Sequence, residues 1–329
     1  MLASTPLKRR DPFSRNRLIR DGISQAIYET MRDDSSVYLF GEGAAIKQHY
    51  DAPYILKDFP DRVVTLPISE DGNTNFAVGT SLLGIKPVVD VISGDFLYRT
   101  LDSICNTAAK LDFVTRQGHT IVIRAEVLLG GPTTGQRPEA IFTHIPGVNV
   151  LMPSTPRDAY GLMLTALRTP GVTLFFEDRM ISDEMLSGGD LRIGERVAFG
   201  HALERRNGDA NAYLTIVTYG LMRQVAEQAL DPGLNIDLLD LRSLYPMDWD
   251  SIMGSVRRTK RLLVIEPDVC YAGIGAEIAA HVAEAMPGVQ IRRLGARRAT
   301  VPASTHLHQG VLPTPEEVRD AVSELRSGQ

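Results

Sequence analysis

The chain has almost no cysteine, one tryptophan and no long apolar run. Its two cysteines in 329 residues, Cys105 and Cys270, sit far apart in apolar surroundings. They exclude a disulfide framework and read as reduced structural thiols of a cytoplasmic protein. With no CxxC pair and no His/Cys cluster, the spacing of a zinc site is also missing. The longest hydrophobic stretches are strand-sized, so no transmembrane helix is expected. Positive charge is not in excess either: 35 basic against 40 acidic residues give a net charge of -5. That balance supplies no general attraction to nucleic acid or to an anionic membrane surface. Met1 to Arg20 is basic without an apolar core, which excludes a secretory signal and leaves Lys8-Arg9-Arg10 as a solvated tail. Several motifs are absent as well. No Gly-x-Gly-x-x-Gly follows the first strand, there is no Gly-x-Ser-x-Gly elbow, and the Gly-rich stretch Leu129 to Gly135 lacks the Lys-Ser/Thr of a phosphate loop. Nor is there a Gly-Asp-Gly followed 25 to 30 residues later by Asn-Asn.

What is present is alternation. A hydrophobic content of 43% and this length suit two packed domains of about 150 residues each. Arg17 to Met31 places Leu18, Ile19, Ile23, Ala26, Ile27 and Met31 on one helical face. Strand-like runs follow at 37–40, 63–68, 87–92, 120–124, 148–152 and 172–176, with helices expected at 73–83, 96–113 and 157–168. The rhythm pauses between Arg179 and Val197, where Ser187-Gly188-Gly189-Asp190 reads as a boundary. It resumes with strands at 213–218, 236–241, 262–265 and 289–293 and helices at 222–230, 248–259, 275–285 and 315–325. Strand–helix alternation implies an α/β fold with mainly parallel sheets flanked by helices. The expected organisation is a tail over 1–15, a first domain over 16–185, a linker over 186–200 and a second domain over 201–329.

Three features are placed to carry chemistry. Glu70 ends the hydrophobic run 62–68, where a carboxylate is costly without a partner; a turn or cap carboxylate is the plain alternative. Glu42 lies between Gly41 and Gly43 at the carboxyl end of a strand, where ligands gather in open α/β sheets; an ordinary strand exit has the same composition. Gly94-Asp95-Phe96-Leu97-Tyr98 puts aromatics between a strand and a helix, suited to stacking on a ring or to plugging the core.

The order of segments resembles the beta subunit of thiamine-diphosphate-dependent 2-oxoacid dehydrogenases, the decarboxylating component of pyruvate, branched-chain and acetoin complexes. The resemblance runs from about Leu18 to Val322. It rests on Gly41-Glu42, Asp61-Arg62-Val63, Leu66-Pro67-Ile68-Ser69-Glu70, Gly84-Ile85-Lys86-Pro87-Val88, Asp95-Phe96 and Asp102-Ser103-Ile104. It continues through Pro138-Glu139-Ala140, His144-Ile145-Pro146-Gly147, Pro153-Ser154-Thr155-Pro156, Asp240-Leu241-Arg242 and Leu244-Tyr245-Pro246-Met247-Asp248. It implies a pyrimidine-binding domain followed by a transketolase-type C-terminal domain.

The resemblance also implies roles. Glu70 would contact N1′ of the aminopyrimidine and share a proton with it, so that the 4′-imino group can take the proton from thiazolium C2. Phe96 would pack on the pyrimidine, with Ile68 and Glu42 beside the cofactor. Diphosphate and Mg²⁺ would be held by an alpha-type subunit in an α2β2 heterotetramer, with beta–beta self-association and a lipoyl acyltransferase as a further partner. Arg99, Thr134, Gln136 and His144 would lie near substrate. A monovalent-cation site of backbone carbonyls, for K⁺, would fall at Ala166, Leu167 and Thr169. One departure stands out: Thr134 occupies the place of a family histidine associated with acyl transfer to lipoyl groups. Threonine is no acid or base near neutral pH. Transfer to a carbonyl, as in a two-chain carboligase or split transketolase, is therefore a second reading. A non-catalytic scaffolding homologue is a third, opposed by the retention of Glu70 and Phe96.

Overall fold

The computed structural model describes residues 16–17, 19–42, 53–127, 134–178, 181, 186–187, 193–207, 212–231, 233–304, 307 and 310–327. The basic tail over 1–15 and most of the Gly-rich stretch at 129–135 lie outside them.

The strands in chain order are β1 (Asn16–Arg17), β2 (Val37–Glu42), β3 (Val63–Leu66), β4 (Lys86–Ser93), β5 (Thr120–Val127), β6 (Val148–Leu151) and β7 (Gly171–Asp178). Then come β8 (Leu186–Ser187), β9 (Leu203–Asn207), β10 (Leu214–Thr218), β11 (Ile236–Asp240), β12 (Ser243–Tyr245), β13 (Arg261–Val269) and β14 (Gln290–Ala296). A seven-stranded sheet has the order β12-β6-β7-β5-β4-β2-β3, and a five-stranded one the order β14-β13-β10-β11-β9. Both are parallel except at one edge, where β12 runs antiparallel to β6 and β9 antiparallel to β11. The expected α/β architecture with two mainly parallel sheets is the one observed. All eight positions of β5 are buried, as in a strand covered on both faces.

The helices that frame the site are α1 (Ile19–Asp33), α2 (Pro53–Asp58), α3 (Glu70–Ser81), α4 (Leu111–Thr115), α5 (Glu139–Thr143) and α6 (Pro156–Ala166). The apolar stripe of α1 (Ile19, Ile23, Ala26, Ile27, Met31) is fully buried. Helix α1 packs on α6, and Gly22 lies so close to the Pro156 carbonyl that a Cβ there would collide with it. Thr155 caps α6, its Oγ1 accepting from Asp158 N at 3.1 Å, with Pro156 at the first helical position.

Two expectations are corrected. The strand expected over 63–68 stops at Leu66, because Pro67 has no N–H to give a neighbour and restricts the residue before it. Ile68 is 85% exposed, and Glu70 is the first residue of α3 rather than the last of a strand. The single helix expected over 96–113 is instead a 3₁₀ segment (Gly94–Thr100), a π-helical turn (Ser103–Thr107), a second 3₁₀ turn (Ala108–Lys110) and α4. At the π turn Ser103 is tied to α3, its Oγ donating to Asp71 Oδ1 and accepting from Asn75 Nδ2 at 2.7 Å. Such turns recur at functional sites.

The second half of the chain is stitched to the first. Strand β12 joins the first sheet three residues after β11 leaves the second. Arg242 makes the turn between them at φ 55°, with Nη1 donating to Asp158 Oδ1 at 2.6 Å and Nη2 to the His201 carbonyl at 2.7 Å.

Candidate active site

Strands β2, β3 and β4 deliver their carboxyl ends to one edge of the first sheet. Glu42 is the last residue of β2 and is 7% exposed. Its Oε1 accepts from Ser69 N at 2.9 Å and from Asn73 Nδ2 at 3.3 Å, and Asn73 Nδ2 also reaches the Pro67 carbonyl at 3.1 Å. One carboxylate oxygen thus holds both the turn before α3 and the helix's first turn. That clamp fixes where Glu70 begins.

Glu70 is 6% exposed at the first position of α3, where a carboxylate complements the helix dipole. Its backbone carbonyl accepts from Thr74 Oγ1 at 2.8 Å, leaving the carboxylate to face Arg99, whose Nε lies 3.6 Å from Oε2. Arg99 is 74% exposed, so this is a loose ion pair that a ligand can displace. Arg99 belongs to the same 3₁₀ segment as Phe96, which is half-buried. That segment starts from strain. β-Branched Ile92 has φ 66°, and its N–H is captured by Asp90 Oδ1 at 2.8 Å.

Asp95 was not anticipated as a site residue beyond its place in the 94–98 motif. Its Oδ2 accepts from Gly135 N at 2.9 Å and its Oδ1 from Gln136 N at 3.1 Å, while Ser93 Oγ donates to Oδ2 at 3.0 Å. Asp95 therefore pins the loop carrying Thr134 and Gln136 to the segment carrying Phe96 and Arg99. Asp95→Ala is expected to destabilise the fold by about 1–3 kcal/mol and to speed amide exchange at Gly135 and Gln136. Hydrogen exchange that is unaltered at those two amides would show that the clamp is idle.

Below that loop Arg137, 8% exposed, donates from Nη1 to Glu139 Oε1 at 3.0 Å and from Nη2 to Asp178 Oδ2 at 2.7 Å. Asp178 Oδ2 also accepts from Leu221 N at 3.3 Å, so the network crosses to the second half of the chain. At the end of the second sheet Glu266 is fully buried; Oε2 accepts from Gly275 N at 3.0 Å and Oε1 has no partner. Burial pushes its carboxyl up to about 7, against the Gly275 hydrogen bond. Between the ordinary 4.5 and about 7 the folded state then binds more protons than the unfolded one, so stability falls as pH rises through that window. Raising pH from 5 to 8 is expected to lower the melting temperature, and Glu266→Gln to remove up to ~3 kcal/mol of that loss. An unchanged pH–melting profile in the variant would refute this.

His144 is exposed at the end of α5 and is not among the residues that line the cleft at Thr134. In the turn after α6 the Ala166 carbonyl accepts from Thr169 N at 3.3 Å, and the Thr169 carbonyl from Thr120 Oγ1 at 3.2 Å; Leu167 caps the helix. Among the described residues no three His, Cys, Asp or Glu side chains converge as a metal site.

The carboxyl ends of β2, β3 and β4, with buried Glu42 and Glu70 beside them, form the kind of crevice in which open α/β sheets gather ligands. Residues 16–183 match the family described as the transketolase pyrimidine binding domain, and residues 200–318 match the transketolase C-terminal domain. The chain is 31% identical to the pyruvate dehydrogenase E1 component subunit beta of Rickettsia bellii, over 93% of this chain and 98% of that one. It is equally 31% identical to the mitochondrial subunit of the same name from Caenorhabditis elegans, over 92% and 91%. A solved structure described as a split gene transketolase, an inactive beta4 tetramer, superposes with a TM-score of 0.76, covering 94% of this chain and 98% of that chain at 19% identity. The chain therefore belongs to the transketolase-like family of thiamine-diphosphate-dependent 2-oxoacid dehydrogenase beta subunits.

Proposed function

We infer that the chain is the beta-type subunit of a two-chain enzyme that decarboxylates a 2-oxoacid and transfers the resulting acyl unit, with thiamine diphosphate shared between the chains. The observation that carries this is Glu70: a buried carboxylate, clamped into place through Glu42, whose one ionic partner among the described residues is a displaceable arginine. These residues fit an aminopyrimidine. Glu70 offers the acid for N1′, Phe96 an aromatic plane and Ile68 an exposed aliphatic surface. When bound, thiamine diphosphate supplies a carbon nucleophile at thiazolium C2. This chain's contribution is to hold the proton at N1′ through Glu70 and to keep that carboxylate in register through Ser69 and Asn73. Diphosphate and Mg²⁺ are assigned to the alpha-type partner, in an α2β2 assembly in the cytoplasm. The monovalent-cation site at Ala166, Leu167 and Thr169 rests on the family resemblance.

A stripe beside Glu70 supports the partner. Ile68 precedes α3, Phe76 lies within it and Leu83 follows it; they are 85%, 46% and 81% exposed, and Gly79 has open space above it. Exposed apolar side chains along and beyond one helix mark an interaction surface. The test is reconstitution with an alpha-type chain: decarboxylation of pyruvate or a branched 2-oxoacid is expected from the mixture and from neither chain alone. Equal activity without this chain would overturn the assignment.

The carboligase reading rests on Thr134. It lines a cleft whose described lining residues include no histidine, and threonine itself is no acid or base near neutral pH. Acyl transfer to an aldehyde, with no NADH formed when a lipoyl partner is supplied, is the outcome that supports it.

A further inference from the structure

A cleft of about 590 Å³ lies between the Thr134–Arg137 loop and two loops from the second half of the chain, 267–272 and 296–301. Its walls meet at Gly135, whose φ is +114° and at which a Cβ would stand 2.9 Å from Val301 Cγ1. One wall is pinned by Asp95 through the Gly135 and Gln136 amides. The other is held by its own backbone, with Arg297 N donating to the Val311 carbonyl at 2.8 Å and Ala299 N to the Arg297 carbonyl at 2.8 Å. Both walls are thus fixed before any ligand arrives.

We propose that this cleft is an oxyanion subsite, with the Arg298 guanidinium as its anchor, that receives the carboxylate or phosphate of the small molecule accepting the acyl unit. Arg298 lies over the Tyr271 ring, 4.8 Å from its centroid, and makes no ion pair among the described residues. A guanidinium stacked on an aromatic face keeps its in-plane donors for a planar or tetrahedral anion. Arg297 adds a second cation at the rim, only loosely offset by Glu317 at 3.8 Å. Neutral donors complete the lining: the Thr134 hydroxyl, the Gln136 amide and the Tyr98 phenol. Burial, then Asp268, pushes Tyr98 up to about 12, so it remains a donor at neutral pH. The opposing charge is Asp268, whose Oδ1 accepts from Val269 N at 2.7 Å and whose carboxyl burial also pushes up. Arg137 lines the floor, but Glu139 and Asp178 already offset its charge.

The identity of the ligand as acyl acceptor rests on the carboligase reading given above; the anion site does not. The full-length chain is titrated calorimetrically with inorganic phosphate and, separately, malonate at fixed ionic strength. Saturable binding of at least one is expected, weakened on the order of 10-fold or more in Arg298→Gln and unchanged in Glu70→Gln. The tighter of the two anions identifies the ligand's group. No saturable binding of either, or equal binding by Arg298→Gln, overturns the subsite. In the reconstituted complex Arg298→Gln should raise KM for glyoxylate as acceptor while leaving acetaldehyde unaffected; equal effects on both contradict the acceptor role. Anion binding without any turnover would retire the functional reading and leave the subsite standing.

Discussion

Glu70→Gln is expected to lower turnover of the reconstituted two-chain enzyme by about 10²- to 10⁴-fold, the range of a lost proton-transfer group. The substitution preserves shape. The Thr74 hydroxyl bonds the residue-70 backbone carbonyl rather than its side chain, and the clamp on Ser69 and Asn73 belongs to Glu42. Helix α3 should therefore start where it does now, and the melting temperature should stay close to that of the parent. What changes is the proton: an amide cannot share one with a ring nitrogen as a carboxyl can. Steady-state turnover together with a melting curve separates the two effects. Full turnover in the variant would remove Glu70 from the chemistry.

The largest stability effect is expected at Arg137→Met. The side chain is 3% exposed and satisfies two carboxylates, Glu139 and Asp178, both fully buried. Methionine matches its length but leaves two acids uncompensated in the interior, a loss of about 3–5 kcal/mol for a broken buried pair. Because Asp178 also accepts from Leu221 N, the loosening should spread to the junction between the halves. Asp178→Asn in the Arg137→Met background should recover part of the loss, since a buried charge then disappears, whereas Glu139, pushed up to about 7 by burial, sheds its charge by taking up a proton. Denaturant unfolding of the single and double variants measures both effects. A double variant no more stable than Arg137→Met alone would refute the account of the network.

Much of the fold was legible because buried parallel strands announce themselves. The runs read at 120–124 and 172–176 are mainly apolar without alternation and lie within strands 120–127 and 171–178, and α1 displays its stripe at helical spacing. The errors have local causes. The apolar run to Ile68 looked like one strand, but Pro67 ends the pairing and Ile68 faces outward. The 94–115 stretch has helical periodicity, which cannot distinguish α from 3₁₀ or π turns set by the Ser103 tether to α3. Strand β12 was invisible, since it depends on a left-handed turn at Arg242 that Asp158 and the His201 carbonyl hold.

Within the site, the family resemblance singled out Glu70 and Phe96 by motif order and Arg99 near substrate, and the structure sets Arg99 Nε 3.6 Å from Glu70 Oε2. The Asp95 clamp was not readable, because its partners Gly135 and Gln136 are some 40 residues away. The cleft was hidden for the same reason, as it exists only where the 134–137 loop meets residues 267–301. Sequence periodicity reports what a strand or helix buries. It does not report which distant loops come to face each other.

The central claim is that this chain supplies the acid that activates a cofactor shared with its partner. It is tested most directly by hydrogen–deuterium exchange at C2 of thiamine diphosphate, which needs no knowledge of substrate. The account predicts rapid exchange only when this chain and an alpha-type chain are combined, slowed by about 10²-fold or more in Glu70→Gln. Exchange equally rapid in the Glu70→Gln complex, or with the alpha-type chain alone, would contradict it.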